Sequence, residues 1–416
     1  MSSSKRILFI SNGHGEDNHS SHVIQTLREL SPNLEIAAMP IVGEGKAYRA
    51  LDIPIIGPTQ NLPSGGFTYM NRLRMIKDIQ AGIIGLTWKQ LQAVQRYAPS
   101  CDLVMATGDT VGQSFAYLSG RPYVSFISCL SSLYEGRLQL ELVLSYCLRS
   151  SKCLTIFTRD AYTAEDLQKQ GFKKAKFGGI PSLDRLIPTR KDLQLLPDVP
   201  MIALFPGSRL PEAERNFSLQ LQLVLEIAKV MGQQPVAFRA ALVSSLMSQL
   251  GEIASSLGWQ HDNGKLTYTD EKGSIVAEVL CYCDAFNDIV NYCTLVIGMA
   301  GLAVDQAVAI GKPIVQIAGE GPQFTYAFAE AQTRLLGCSV QTVGTKAADA
   351  EILKEAAQVV SKTLYNKDYF EACLENGSRR FGPLGASYRI ANELLTYLGE
   401  RPNQAINLDL LTDKSR

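Results

Sequence analysis

The stretch MIALFPGSRLPEAERNF, Met201 to Phe217, decides how the rest of the chain is read. Met201–Phe205 is a short apolar run of strand type, Pro206-Gly207-Ser208-Arg209 is a turn, and Glu212–Met231 repeats with helical spacing. Strand, tight turn and helix in that order form one half of a parallel α/β unit. Gly207 and Ser208 make a turn of phosphate size, and Arg209 offers a bidentate cation beside it. Gly-Ser-Arg triplets are common; what raises this one is its place after the first strand of a new α/β series.

The same alternation precedes and follows this stretch. Upstream, strands are expected at Arg6–Ser11, Leu34–Met39, Asp102–Thr107, Tyr123–Ile127, Leu154–Thr158 and Ala175–Phe177, with helices such as Ser20–Leu30, Thr110–Ser119 and Tyr162–Gln170 between them. Downstream, strands are expected at Val236–Ala241, Thr294–Ile297 and Pro313–Ile317, and helices at Ser244–Leu257, Ala300–Ile310 and Gln323–Leu335. Between the two series, Leu186–Pro200 carries three prolines among mixed charges and reads as a linker. Two successive open α/β halves are the simplest architecture.

Ligands of open α/β sheets bind at the carboxyl ends of strands, so the strand-to-helix junctions carry the functional reading. After the first strand comes Ser11-Asn-Gly-His-Gly-Glu-Asp17, whose glycines permit a tight turn before a helix N-terminus that favours anions. It lacks the third glycine of a dinucleotide fingerprint, because Asn18 occupies that position. His14 and Glu16, read as loop residues, are the functional candidates, whereas Glu16 and Asp17 also suit the helix dipole. His14, His19 and His22 fall close together, but one helix face explains His19 and His22 as well as a metal does. Asp109, in Ala106-Thr-Gly-Asp-Thr-Val-Gly112, is either a general base or a helix N-cap. In the second half, Gly298-Met299-Ala300-Gly301 precedes a helix able to hold a diphosphate, with Asp305 or Gln306 placed to bond sugar hydroxyls. Gly311-Lys312-Pro313 then ends that helix before the next strand.

Together these segments resemble a GT-B glycosyltransferase, and within that class lipid-A-disaccharide synthase and its "related" branch. Phe205–Arg209 with Glu212 is similar to that family's Leu-Pro-Gly-Ser-Arg…Glu signature, and Gly298–Pro313 to its Ser-Gly-Thr-Ala-Thr-x-Glu…Pro nucleotide-sugar signature. Gly319–Tyr326, containing Gln323 and Phe324, and then Glu330-Ala-Gln332 look like the loop and helix that close over the donor. Gly178–Asp184 resembles the Gly-x-Pro…Asp segment at the domain junction, and Gly108-Asp109 matches the acceptor-side Gly-x-Asp motif loosely. The chain departs from the family at Ser11–Asp17, where the synthase has Ala-Gly-Glu-x-Ser-Gly-Asp. It departs again at Asp305, or Gln306 in a register shifted by one, where the family has a ribose-binding Glu.

The resemblance implies an α/β GT-B chain of two Rossmann-like domains with parallel sheets facing a central cleft. An acceptor domain would span 1–187 and a nucleotide-sugar domain 188–384, with 385–416 a helix and tail returning to the first. It implies inverting transfer of an N-acetylglucosamine-type sugar from UDP to a lipid-linked acceptor, without metal or other cofactor. Asp109 would then be the base. Gly207, Ser208 and Arg209 with Gly298 to Gly301 would hold the diphosphate, Asp305 or Gln306 the ribose, and Gln323, Phe324 and Gln332 the donor. A non-hydrolysing UDP-sugar epimerase and a GT-B binding protein without turnover are the competing readings.

Composition sets limits on partners. The 416 residues carry 40 Lys and Arg against 40 Asp and Glu, which argues against binding nucleic acid by phosphate neutralisation. The zero hides an asymmetry: up to Arg190 the balance is 21 to 15, and beyond it 19 to 25. The apolar run Ile7–Ile10 is too short for a signal-peptide core, and the nine scattered cysteines suit reduced thiols in the cytoplasm. Met70, Leu73, Ile76, Ile79, Ile83 and Leu86 recur at helical spacing beside Arg72, Arg74 and Lys77. Core packing of a long helix explains that stripe, and so does a basic amphipathic helix lying on the inner face of an anionic membrane and receiving an acyl chain.

Overall fold

The computed structural model describes residues 4–60 and 83–401. Arg72, Arg74, Lys77 and most of the amphipathic stretch around them lie outside the described residues; Leu86, at its end, is buried. The chain divides into two compact units, one of Met1–Arg185 with Phe381–Arg416 and the other of Leu186–Arg380. Only helices of seven residues or more are numbered below.

The first unit runs β1 (Arg6–Ser11), α1 (His14–Leu30), β2 (Glu35–Pro40), α2 (Ile83–Tyr97), β3 (Leu103–Thr107), α3 (Thr110–Leu118), β4 (Tyr123–Ile127), α4 (Leu142–Arg149), β5 (Cys153–Thr158), α5 (Ala161–Lys169) and β6 (Ala175–Phe177). The strands form one parallel sheet in the order β2-β1-β3-β4-β5-β6. Its central strands are apolar without interruption because helices cover both faces. Period-two alternation sends Leu8 and Ile10 to the core shared with Leu86, Val94, Phe115 and Leu144. Ile7 and Phe9 go to the opposite core, against Val23, Ile24 and Leu27 of α1.

The second unit runs β7 (Met201–Phe205), α6 (Glu212–Met231), β8 (Ala237–Ala241), α7 (Leu250–Ser256), β9 (Gln260–Asp262), β10 (Lys265–Thr269), β11 (Ile275–Tyr282), α8 (Phe286–Tyr292), β12 (Leu295–Gly298), α9 (Leu302–Ala309), β13 (Ile314–Ala318), α10 (Tyr326–Leu336), β14 (Val340–Ala347), α11 (Ala350–Thr363) and α12 (Lys367–Phe381). Its eight-stranded sheet has the order β14-β13-β12-β7-β8-β11-β10-β9. The strands from β14 to β11 are parallel, whereas β9, β10 and β11 pair antiparallel. Leu186–Pro200 forms no helix or strand, yet it is fastened to this unit: Thr189 and the Lys191 N–H donate to Asp288, and Arg239 donates to the carbonyls of Leu193 and Gln194.

After Arg380 the chain re-enters the first unit and forms α13 (Ala386–Leu398). Ile390, Leu394 and Leu395 of α13 fill the same core as α1. Its N-terminus is held by one carboxylate: Asp184 accepts from the backbone N–H groups of Gly385 (2.6 Å), Ala386 (3.1 Å) and Ser387 (2.6 Å).

Three expectations need correction. The helix expected at Ser20 begins at His14, so His14 and Glu16 sit in the first helical turn and not on a loop. Gly13, in extended backbone, is its N-cap, and Glu16 and Asp17 complement the dipole of that turn. The helix expected over Ser244–Leu257 is interrupted between Met247 and Leu250. The α9 helix starts at Leu302, two residues later than expected, with Gly301 as its N-cap.

Removing the carboxylate in Asp184→Ala takes the acceptor from three backbone donors at a helix N-terminus. The expected loss is about 2 kcal/mol in the unfolding of the first unit, read by urea titration. An unchanged midpoint would show that the Asp184 carboxylate contributes nothing to holding α13.

Candidate functional site

Each sheet has one place where neighbouring strands send their connections in opposite directions, between β1 and β3 in the first unit and between β7 and β12 in the second. Such switch points open a crevice at the carboxyl ends of the strands.

In the second unit, β7 and β12 pair so that Phe205 lies beside Gly298, and the Met299 N–H donates to the Phe205 carbonyl at 2.8 Å. The two following turns therefore lie side by side. Gly207, at φ +101°, is placed so that a Cβ would meet the Met299 carbonyl oxygen at 3.2 Å, which reserves the position for glycine. Asn216 donates its side-chain amide to the carbonyls of Pro206 (3.0 Å) and Met299 (3.4 Å), tying the turns together. Gly298 packs against Val304, where a Cβ would approach to 2.6 Å, bringing α9 close to its strand.

The turn after β13 joins them through buried Glu212, whose Oε1 accepts from the backbone N–H groups of Gln323 (2.8 Å) and Phe324 (2.5 Å). Arg209 donates to Gln323 Oε1 at 3.1 Å, and Arg215 to the Gly321 carbonyl at 2.6 Å. Gly207, Ser208, Arg209, Gly301 and Gln323 are thus gathered around one helix N-terminus. A Cβ at Gly301 would meet only Gln323 and Phe328, each at 4.0 Å. Backbone N–H groups at the start of α9 with a guanidinium alongside make a receptor for an anion such as a diphosphate.

Other expected donor contacts occupy different positions. Met299 and Phe324 are buried within the core of this unit, and Gln332 spends its amide on the carbonyls of Ala300 and Gly301. The side chains of these three are engaged within the unit itself, packing the core or holding the turns. Ala300 is also buried. Of the two ribose candidates, Gln306 is buried and Asp305 half-buried in the first turn of α9.

In the first unit, the Asn12 N–H donates to the Thr107 carbonyl at 3.2 Å, joining the turns after β1 and β3. Gly108, at φ +125°, lies against Asn12 and the Glu16 side chain. His14 is exposed and its ring lies over Gly43, where a Cβ would come within 2.6 Å. Asp109 is the N-cap of α3 and accepts from the Val111 N–H at 3.2 Å, so the capping role is present whatever chemistry is added to it. Cys129, two residues beyond β4, donates its thiol to Glu16 at 2.5 Å. Sequence reasoning missed Cys129; the signal was its place at a strand-to-helix junction that the reading passed over. His19 and His22 are a different matter. Burial first, then Arg159 and His22, pushes His19 down to about 3, and burial lowers His22, so both are neutral interior histidines.

Beneath this mouth, Tyr48 donates to Ser11 (2.6 Å) and Ser11 to Asp17 Oδ1 (2.5 Å), a buried polar chain. Burial, opposed by the Ser11 hydrogen bond and reinforced by the Glu16 charge, pushes the Asp17 carboxyl up to about 7.

Units of this kind define the GT-B architecture, two Rossmann-like α/β domains in one chain. No known family model and no curated protein sequence matches the chain. Solved structures do. A putative UDP-N-acetylglucosamine 2-epimerase from Listeria monocytogenes is similar at TM-score 0.59 with 13% identity, over 97% of this chain and 100% of that one. CalG4, the calicheamicin glycosyltransferase, is similar at TM-score 0.61 with 14% identity, over 95% and 98%. MurG of Acinetobacter baumannii is similar at TM-score 0.59 with 12% identity, over 94% and 99%. At these identities the likeness is one of fold.

The Asp17 shift has a signed consequence. Because the folded state raises this carboxyl from its ordinary 3.8 to about 7, folding holds a proton that the unfolded chain releases. The group therefore costs stability progressively as pH climbs from about 4 to about 7, by at most about 1.4 kcal/mol per pH unit. Urea midpoints of the wild type and Asp17→Asn measured across that range check it. The variant is expected to gain on the wild type as pH rises, and a constant difference would contradict the shift.

Proposed function

We propose that the chain is a UDP-sugar-dependent glycosyltransferase that passes an N-acetylglucosamine-type sugar to a lipid-linked acceptor with inversion, in the manner of lipid-A-disaccharide synthase. The observation that carries this is the convergence of Gly207, Arg209, Gln323 and the start of α9 at the β7/β12 switch point. That arrangement suits a leaving diphosphate, and the fold it sits on is shared with enzymes named for UDP-N-acetylglucosamine and for glycosyl transfer.

In this reading Asp109 takes the proton of the acceptor hydroxyl, with Glu16 and His14 beside it in the first unit. The acceptor oxygen forms its bond to the sugar C1 as the bond from C1 to the diphosphate oxygen breaks on the opposite face, which inverts the centre. UDP carries away the electron pair, and Arg209 with the α9 N-terminus stabilises the growing charge. Asp305 bonds the ribose, its half-buried place suiting contact better than that of Gln306.

A second reading, 2-epimerisation of a UDP-sugar, draws equal support from the similarity to the Listeria structure and uses the same donor turns. It differs in needing no acceptor and in exchanging a carbon-bound hydrogen. Incubating UDP-N-acetylglucosamine alone in deuterated water tests it: deuterated epimer signifies the epimerase, and unchanged sugar removes that reading.

UDP is expected to raise the thermal midpoint, with GDP and dTDP weaker, and Arg209→Ala should weaken UDP at least about tenfold. Asp109→Asn should keep the UDP shift and lose about a hundredfold or more in transfer. Indifference to every nucleotide would sink the donor site, and full turnover in Asp109→Asn would remove the base.

A further inference from the structure

The outer face of α3 and α4 is apolar. Val111 is 38% exposed, Leu118 44%, Leu142 89%, Val143 55% and Tyr146 62%. The two helices form one surface: the Tyr117 and Tyr146 rings meet edge-on at 5.3 Å, and Thr110 donates to Glu141 at 2.6 Å where both helices begin. Scattered exposed leucines need no explanation, but five large apolar side chains on two joined helices do.

Charge on this face is graded. Acidic side chains stand where the two helices begin: Glu141 accepts the Thr110 hydroxyl, and Asp109 caps α3. At the opposite end stand cations. Arg149 closes α4, Lys152 follows it immediately before β5, and Arg121 follows α3 immediately ahead of β4. Strands β4 and β5 are neighbours with Tyr123 paired to Cys153, so Arg121 and Lys152 lie at adjacent strand entrances. Arg149 lays its guanidinium over Phe172 at 4.1 Å, and Arg149 and Lys152 are exposed. Apolar side chains, a tyrosine with a polar tip and a cationic margin are the composition of a surface that sits in the headgroup layer of an anionic bilayer. No helix among the described residues is long and apolar enough to cross a membrane.

We infer that the α3/α4 face is a membrane-docking surface whose partner is a lipid leaflet bearing anionic headgroups. The inference rests on the acceptor being lipid-linked, and it deepens that reading. Asp109 caps the helix that carries Val111 two residues on, so docking along this face brings the acceptor end of the first unit to the leaflet surface.

Flotation of the full chain with vesicles, without nucleotide or acceptor, tests it. Wild-type protein should float with phosphatidylcholine vesicles containing phosphatidylglycerol and much less with phosphatidylcholine alone, and added salt should weaken the association. The triple variant L142Q/V143T/Y146S and the charge variant R149Q/K152Q should each bind at least about tenfold more weakly. Thermal midpoints within a few degrees of wild type would show both to be folded. Vesicle binding that survives either variant overturns the inference, as does a wild type that binds neither vesicle. So does a concentration-dependent mass in light scattering that the triple variant abolishes, because the face would then join two copies of the chain. The donor reading fails separately: a chain that answers to UDP and ignores vesicles keeps its nucleotide site and loses this surface.

Discussion

Asp184 gives both carboxylate oxygens to three successive backbone N–H groups at the start of α13. The chain leaves the first unit one residue later and returns near Phe381, almost two hundred residues on. Besides apolar packing, the last helix is joined to its own unit by Arg389 donating to the Gly178 carbonyl and by Glu393 accepting from Thr155 and Lys176. With the Asp184 carboxylate in place, the N-terminal donors of α13 are satisfied by a negative charge at the dipole's positive end, and Ile390, Leu394 and Leu395 are aimed at Ile7 and Phe9. The β1 strand that those residues cover is the one whose carboxyl end carries His14 and Glu16.

Carboxylates recur in this architectural use. Glu212 does for the turn after β13 what Asp184 does for α13, by accepting two backbone N–H groups of a neighbouring segment. Asp288 does it for the segment after Ile187, and Asp109 for the first turn of α3. Mobile turns rich in glycine and proline have few apolar contacts to hold them. A buried acid with two acceptors can fix such a turn at several backbone atoms without covering the surface a ligand needs. An acidic residue at a strand end is therefore ambiguous in principle: the same placement serves capping and proton transfer, and Asp109 shows the first whichever holds for the second.

Much of the fold was legible because central strands covered on both faces must be continuously apolar and short. Arg6–Ser11, Tyr123–Ile127 and Met201–Phe205 lie where their patterns place them, as does the helix Glu212–Met231. The antiparallel strands β9 to β11 were not read: β9, at the sheet edge, is exposed throughout, β10 is polar and mostly half-buried, and β11 begins exposed at Ile275 and Val276 and is buried only further on, beside β8. The start of α1 was misjudged because the two glycines around His14 read as loop, whereas the dipole-facing pair Glu16 and Asp17 lets a helix begin there. At the turns around the start of α9 the residue types were legible and their surroundings were not. Gln323 and Gln332 look alike in sequence, yet one meets Arg209 at the α9 N-terminus and the other is buried against two carbonyls. That distinction depends on which way a loop folds back, and no local pattern encodes it.

Net charge carries one further constraint. The first unit holds 24 Lys and Arg against 19 Asp and Glu, and the second 16 against 21, so the neutral chain is a basic unit joined to an acidic one. If a diphosphate binds the acidic unit, the unit's overall field opposes it. At physiological ionic strength charges more than about 8 Å away are largely screened, so what decides binding is the arrangement within that radius. There the second unit supplies Arg209 and the backbone dipoles of α9, opposed by half-buried Asp305 in the first turn of that helix, while Glu212 is turned into backbone bonds. The same screening limits what the basic balance of the first unit can do alone: long-range attraction to a surface is weak, and docking must come from groups in contact. Local geometry thus outweighs formal charge in both units, and the sign of each unit tells less than where its few unscreened charges stand.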